Sequence, residues 1–109
     1  MGESQPGLVY VCNADEVEPD SVIAVAVGDF PLLAVYNLGG EYFVTDDLCT
    51  HGQASLADGF VEGDEIECPL HAGRFCIRTG EPTLDPCTEP LKTYPVVRQG
   101  DGVFIRVAP

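Results

Sequence analysis

The chain predicts an all-β domain of short antiparallel strands, packed as a sandwich or barrel. Three observations carry this. Short apolar and β-branched runs recur along all 109 residues. Glycine-containing turns separate them, at 28–29, 38–40, 62–64 and 99–102. No window has the 3.6-residue apolar period of an amphipathic helix. Strands of this length, with turns at this spacing, suit such an architecture.

Element by element, Leu8 to Val11 is a first strand, and residues 12–20 connect it onward. Ser21 to Val27 and Leu32 to Asn37 are β-branched and apolar. Leu38-Gly39-Gly40 then turns into a strand from Glu41 to Thr45, because Gly-Gly between apolar runs marks a hairpin. Ala54 to Asp58 suits one helical turn. Phe60-Val61 and Glu65-Ile66-Glu67 form a hairpin, and Phe75 to Arg78 follows. Pro82, Pro86 and Pro90 keep the next stretch from being helical. Leu91 to Arg98 and Val103 to Val107 close the chain as two strands.

The length predicts one domain, residues 1–109, with a single modest core. A domain this small often leans on a bound metal. Eighteen acidic residues face five basic ones, a formal charge of −13. Nucleic acid is excluded as a partner, since phosphate binding needs a basic face. An anionic membrane surface would repel the chain. A protein partner with a basic docking patch fits, although acidity also serves plain solubility. The start lacks the basic and apolar regions of an export signal, and Pro6 breaks the myristoylation pattern. The apolar runs are too short to span a bilayer. A cytoplasmic location is therefore expected.

Two short clusters carry the chemistry: Cys49-Thr50-His51-Gly52 and Cys68-Pro69-Leu70-His71. They hold the only two histidines in the chain, each beside one thiol. Both follow predicted strands, so two loops of a rigid sheet can clamp one metal group. Structural zinc accepts two Cys and two His, but usually as two Cys and then two His. Here the types alternate, and the first pair has a single spacer. Alternation is natural for a two-iron cluster in which each loop gives its Cys to one iron and its His to the other. Cys12, Cys76 and Cys87 remain, expected as thiols of a reducing compartment, with a Cys76–Cys87 bridge as the alternative.

With the intervening DGFVEGDEIE, these clusters resemble the Rieske-type ferredoxins of bacterial aromatic-ring dioxygenases. The resemblance takes in Asp46-Asp47-Leu48, Gly73-Arg74-Phe75 and Lys92-Thr93-Tyr94-Pro95-Val96, and covers nearly the whole chain. It implies the Rieske fold, with cluster-binding loops at about 46–54 and 67–75. It implies one [2Fe–2S] cluster held by Cys49, His51, Cys68 and His71. Cys87 lies in a proline-containing loop that covers one side of the cluster in the family, and no coordination position is left for it. Gly52 and Gly73 would let backbone N–H groups approach the sulfides, and Pro69 would stiffen the second loop. Gln53 and Leu70 would lie near the tip and touch partners.

The resemblance further implies a monomeric electron carrier of aromatic hydrocarbon catabolism. It would take electrons from a flavin-containing reductase and deliver them to a terminal Rieske oxygenase, leaving by the edges of His51 and His71. Asp46, Asp47, Asp58, Glu81 and Asp85 would steer it to basic patches. The chain would catalyse nothing alone. An oxygenase needs a second iron on two His and a carboxylate, and both histidines are used. No glycine-rich dinucleotide fingerprint is present. Two other readings stand beside this one: a small Rieske subunit of another redox enzyme, such as nitrite reductase, and a structural zinc module that binds proteins.

The charge count fixes the direction of the redox tuning. Two ferric ions, two sulfides and two thiolates sum to zero, and one electron brings the site to −1. Hydrogen bonds to sulfur therefore raise the potential. Respiratory Rieske proteins have a disulfide where this chain has Ala54 and Leu70, and hydroxyls where it has Gly73 and Phe75. Film voltammetry should give a value near the low end of the Rieske range, about −150 mV. A positive potential would contradict this reading.

Overall fold

The computed structural model describes residues 7–50, 53–70, 72–85 and 87–107. Its strands are β1 (Leu8–Asn13), β2 (Ser21–Val25), β3 (Leu33–Leu38), β4 (Glu41–Asp46), β5 (Phe60–Glu62) and β6 (Glu65–Glu67). They continue as β7 (Arg74–Cys76), β8 (Pro82–Leu84), β9 (Thr93–Tyr94), β10 (Val96–Gln99) and β11 (Gly102–Arg106). Three antiparallel sheets result, ordered β1-β11-β10, β2-β3-β4-β9 and β5-β6-β7-β8. The all-β expectation holds.

The second sheet lies between two cores. Its strand β3 is buried along its whole length, which is why its sequence reads as a nearly unbroken apolar run. Successive side chains of a strand point to opposite faces. Leu33 and Val35 join one core with Val11, Val44, Val103 and Ile105. Ala34, Tyr36 and Leu38 join the other with Leu56, Ile66, Phe75 and Leu91. The polar exception, Asn37, is satisfied in place. Its amide donates to the Val17 carbonyl at 2.9 Å and its Oδ1 accepts the Gly40 N–H at 2.8 Å.

That last bond braces the β3–β4 hairpin. Gly39 and Gly40 both have positive φ, 64° and 98°, as the tight two-residue turn requires. The predicted hairpins β5–β6 and β10–β11 are also present, and the helical turn falls at Leu56–Asp58 as a 3-10 turn.

Four features go beyond or differ from expectation. The first strand runs on to Asn13 through a bulge between Tyr10 and Cys12, which turns Val11 and Cys12 inward together. A 3-10 turn, Ala14–Glu16, follows within the connecting segment, and the Glu16 carboxylate accepts the Asn13 N–H at 2.9 Å. The proline stretch contains a strand, β8; Pro82 opens it, and an edge strand tolerates proline there. The run from Leu91 to Arg98 breaks at Pro95, where the chain crosses from the middle sheet to the β1-β11-β10 sheet. Among the described residues, no helix is long and apolar enough to cross a membrane.

Cys12 ties stability to alkaline pH. Burial, with Glu16 nearby, pushes its thiol from 9.0 up to about 11. Folding then favours the protonated thiol, so its contribution is complete below pH 9 and fades as pH rises through 11. The loss is at most about 2–3 kcal/mol. Urea midpoints at mildly and strongly alkaline pH should fall further for the wild type than for Cys12→Ala.

Candidate metal centre

The first loop leaves β4 and ends at the turn Leu56–Asp58; the second joins β6 to β7. Both close by the same device. The Cys49 N–H donates to the Ala54 carbonyl at 2.9 Å, and the Cys68 N–H donates to the Gly73 carbonyl at 2.8 Å. In each loop the cysteine is bonded to the residue five positions on. Leu48 and Ser55 bridge the neck of the first loop. In the second, Ala72 takes a left-handed φ of 61°, a costly conformation for a residue with a Cβ.

Cys49 and Cys68 are each 1% exposed and belong to the core lined by Ala54, Leu56, Ile66 and Phe75. Thus two predicted ligands, drawn from different loops, enter one apolar environment. The other two, His51 and His71, lie outside the described residues, as do Gly52 and Pro86. A buried thiolate without a charge partner is unfavourable, whereas a metal ion relieves it. Paired buried thiols on closed loops therefore fit one half of a mixed thiolate and imidazole site. Among the described residues, no three His, Cys, Asp or Glu side chains are placed to hold a metal ion.

Asp47 has a different role from the one expected. It is buried, so it does not steer partners. Its carboxylate accepts from the Ser55 hydroxyl at 2.5 Å and the Ala57 N–H at 2.9 Å. Its backbone N–H reaches the Leu32 carbonyl at 2.9 Å, and its carbonyl accepts the Leu56 N–H at 2.8 Å. One residue thus fastens both ends of the first loop. Asp46 is half-buried and accepts a 2.6 Å bond from the Tyr94 hydroxyl. Asp58, Glu81 and Asp85 are exposed, as steering requires.

Gly59 also escaped the sequence reading. A Cβ there would lie 2.1 Å from the Glu67 carbonyl oxygen, so the exit of the first loop backs directly onto the residue before Cys68. Only the close approach itself reveals this glycine; nothing in its neighbours' identities does.

The segment after β8 contributes to the core that holds the two cysteines. The Thr50 hydroxyl donates to the Glu89 carbonyl at 2.8 Å, and Cys87 joins the core of Cys49 and Cys68. Burial, then Cys49 and Cys68, push the Cys87 thiol up to about 12. Cys12, Cys76 and Cys87 are thiols, and the Cys76–Cys87 bridge is absent. Ala54, Gly73 and Phe75 are buried and carry no hydroxyl, while Leu48 and Leu70 stand 54% and 57% exposed. Gln53 is exposed too.

A family model described as the Rieske [2Fe–2S] domain matches residues 7–95. The ferredoxin component of the p-cumate 2,3-dioxygenase system of Pseudomonas putida is 44% identical over 101 residues, 92% of this chain and 86% of that one. A solved ferredoxin of Sphingomonas yanoikuyae B1 superposes with a TM-score of 0.88 at 46% identity, covering 92% of this chain and 98% of its own. A complex of reduced oxygenase and oxidised ferredoxin in carbazole 1,9a-dioxygenase contains a chain matching at TM-score 0.86 and 38% identity, with 94% of each covered.

The anchoring geometry predicts two losses. Asp47→Ala strips the acceptor from the Ala57 N–H and the Ser55 hydroxyl, and should cost about 2–3 kcal/mol in urea denaturation. Gly59→Ala forces the Glu67 backbone aside, and should cost about 1–3 kcal/mol. Both variants should purify with less iron per chain than the wild type.

Proposed function

Because the chain belongs to the Rieske [2Fe–2S] domain family, we propose that it is the one-electron carrier of an aromatic-ring dioxygenase system. The observation that carries this is the pairing of Cys49 and Cys68, buried on two loops closed alike, in a chain whose relatives are ferredoxin components of such systems. The chain carries one Rieske-type [2Fe–2S] cluster, which supplies a reversible one-electron site when bound.

In this reading Cys49 and Cys68 hold one iron, and His51 and His71 hold the other. The two backbone closures keep the thiols at fixed positions, and the apolar wall of Ile66, Phe75 and Leu91 excludes water from the sulfur side. A flavin-containing reductase gives the electron and a terminal oxygenase receives it. The exposed Leu48 and Leu70, one on each loop, offer apolar contact to a partner. Asp58, Glu81 and Asp85 provide the acidic surround that draws in a basic partner.

The carrier is a single Rieske domain, 1–109, with loops at about 46–54 and 67–75. It works as a cytoplasmic monomer and has no catalytic activity of its own. The reading as a nitrite reductase subunit has less support, because the relatives above are named as ferredoxins. The zinc-module reading does not survive the family assignment.

Reconstitution with a reductase and an oxygenase of this class should give substrate-dependent oxygen uptake only when the chain is added. Cluster-loaded protein that supports no uptake with any such pair would overturn the proposal. Raising ionic strength well above about 0.1 M, where the screening length is about 10 Å, should slow turnover several-fold. A rate indifferent to salt would remove steering.

A further inference from the structure

We infer that the cleft beside Pro95 binds a small organic monocarboxylate with an apolar or aromatic body, held by Lys92 and Arg106 over the rings of Phe30 and Tyr94. None of these residues lies on the two predicted ligand loops, so the site stands apart from the electron-carrier reading.

The five basic residues of the chain are not equivalent. Arg74 is taken by Glu62, Glu65 and Glu67, and Arg78 by Glu41 and Asp64. Arg98 lies 4.8 Å from the centroid of the Tyr42 ring and donates to the Gly100 carbonyl. Lys92 and Arg106 are exposed, and among the described residues neither pairs with a carboxylate. Both line one cleft of about 410 Å³, with Phe30, Thr93, Tyr94, Pro95 and Val107. That volume suits a small molecule. Among the described residues no carboxylate lines it, in a chain whose net charge is −13.

The wall is built and fixed. Phe30 and Tyr94 meet edge to face with centroids 6.0 Å apart, and Lys92 Nζ lies 5.2 Å from the Tyr94 centroid. The Arg106 N–H donates to the Pro95 carbonyl at 2.9 Å, and the Val107 N–H donates to the Gly7 carbonyl at 2.7 Å. These bonds also narrow the ligand. With both N–H groups committed, and the Tyr94 hydroxyl donating to Asp46 at 2.6 Å, recognition of charge falls to two cationic side chains. The backbone nest that inorganic phosphate favours is not available. The aromatic and apolar floor suits a ring or a branched chain. A polyanionic partner would be repelled by the rest of the surface, whereas a single charge loses little. Asp29 and Asp46 line an adjoining hollow that shares Phe30, Lys92 and Tyr94. The carboxylate therefore belongs on the Arg106 side, with the body toward the rings.

The test is an amide NMR titration of the full chain, after iron and acid-labile sulfide are measured. Sodium benzoate, sodium acetate and benzyl alcohol are compared at constant ionic strength. Benzoate should saturate with a Kd of about 1 mM or tighter, moving the amides of Phe30, Thr93, Tyr94, Arg106 and Val107. Acetate lacks the body and benzyl alcohol lacks the charge, so each should bind at least about tenfold more weakly. Lys92→Gln and Arg106→Gln should each weaken benzoate about three- to tenfold. Arg98→Gln removes a cation outside this cleft and should leave binding unchanged. Benzoate shifts that never saturate, benzyl alcohol binding as well as benzoate, or indifference to both Gln variants at 92 and 106 would overturn the proposal. Polyglutamate moving these amides where benzoate does not would also overturn it, in favour of an acidic protein partner. A wild type without iron and sulfide would overturn the Rieske reading instead.

Discussion

The burial of β3 on both faces is the constraint on which the rest depends. One strand supplies alternate side chains to two cores, so neither core can form without it. Its neighbour β4 inherits this rigidity through a six-residue register that ends in the Gly39-Gly40 turn. The first ligand loop springs from the end of β4. The second belongs to the β5-β6-β7-β8 sheet, whose Ile66 and Phe75 pack in the same core as Cys49, Ala54 and Leu56. The two loops therefore meet over one face of β3, whose position is set elsewhere, by apolar packing rather than by the predicted ligands.

Electrostatics are more divided than a charge of −13 suggests. Arg74 alone gathers Glu62, Glu65 and Glu67 at 2.9, 3.4 and 3.0 Å across three strands. Arg78 takes Glu41 and Asp64, and its guanidinium also lies over the Phe43 ring. Asp47 is spent on a loop anchor and Asp46 on Tyr94. The acids left without such ties near the site, among the described residues, include Asp58, Glu81 and Asp85. Surface pairs of this kind add little stability. Their larger effect is to decide where the unneutralised charge lies.

Most strands were legible because their signals are local. Gly-Gly between two β-branched runs specifies a hairpin whatever surrounds it. The two thiol and imidazole pairs announce a metal site by residue type and order. What stayed hidden depends on partners distant in sequence. The prolines at 82, 86 and 90 excluded a helix without pointing to a strand, and Pro82 opens one because it lies at a sheet edge. Pro95 looked like an interior residue of one long strand, yet it is the point of transfer between sheets. Asp47 carries the same charge as Asp58, but its burial follows from where Leu32 and Ser55 fall. Gly59 owes its identity to a carbonyl oxygen eight residues away. Cys87 joins the core of Cys49 and Cys68 only once its proline-containing segment is tied to the first loop through Thr50 and Glu89.

The matched closures of the two loops bear on speed as well as on shape. Cys49 and Cys68 each have the backbone N–H already committed, at 2.9 and 2.8 Å, to a carbonyl of their own loop. Such loops have little slack to relax when the charge between them changes by one. The protein's contribution to the reorganisation energy is correspondingly small.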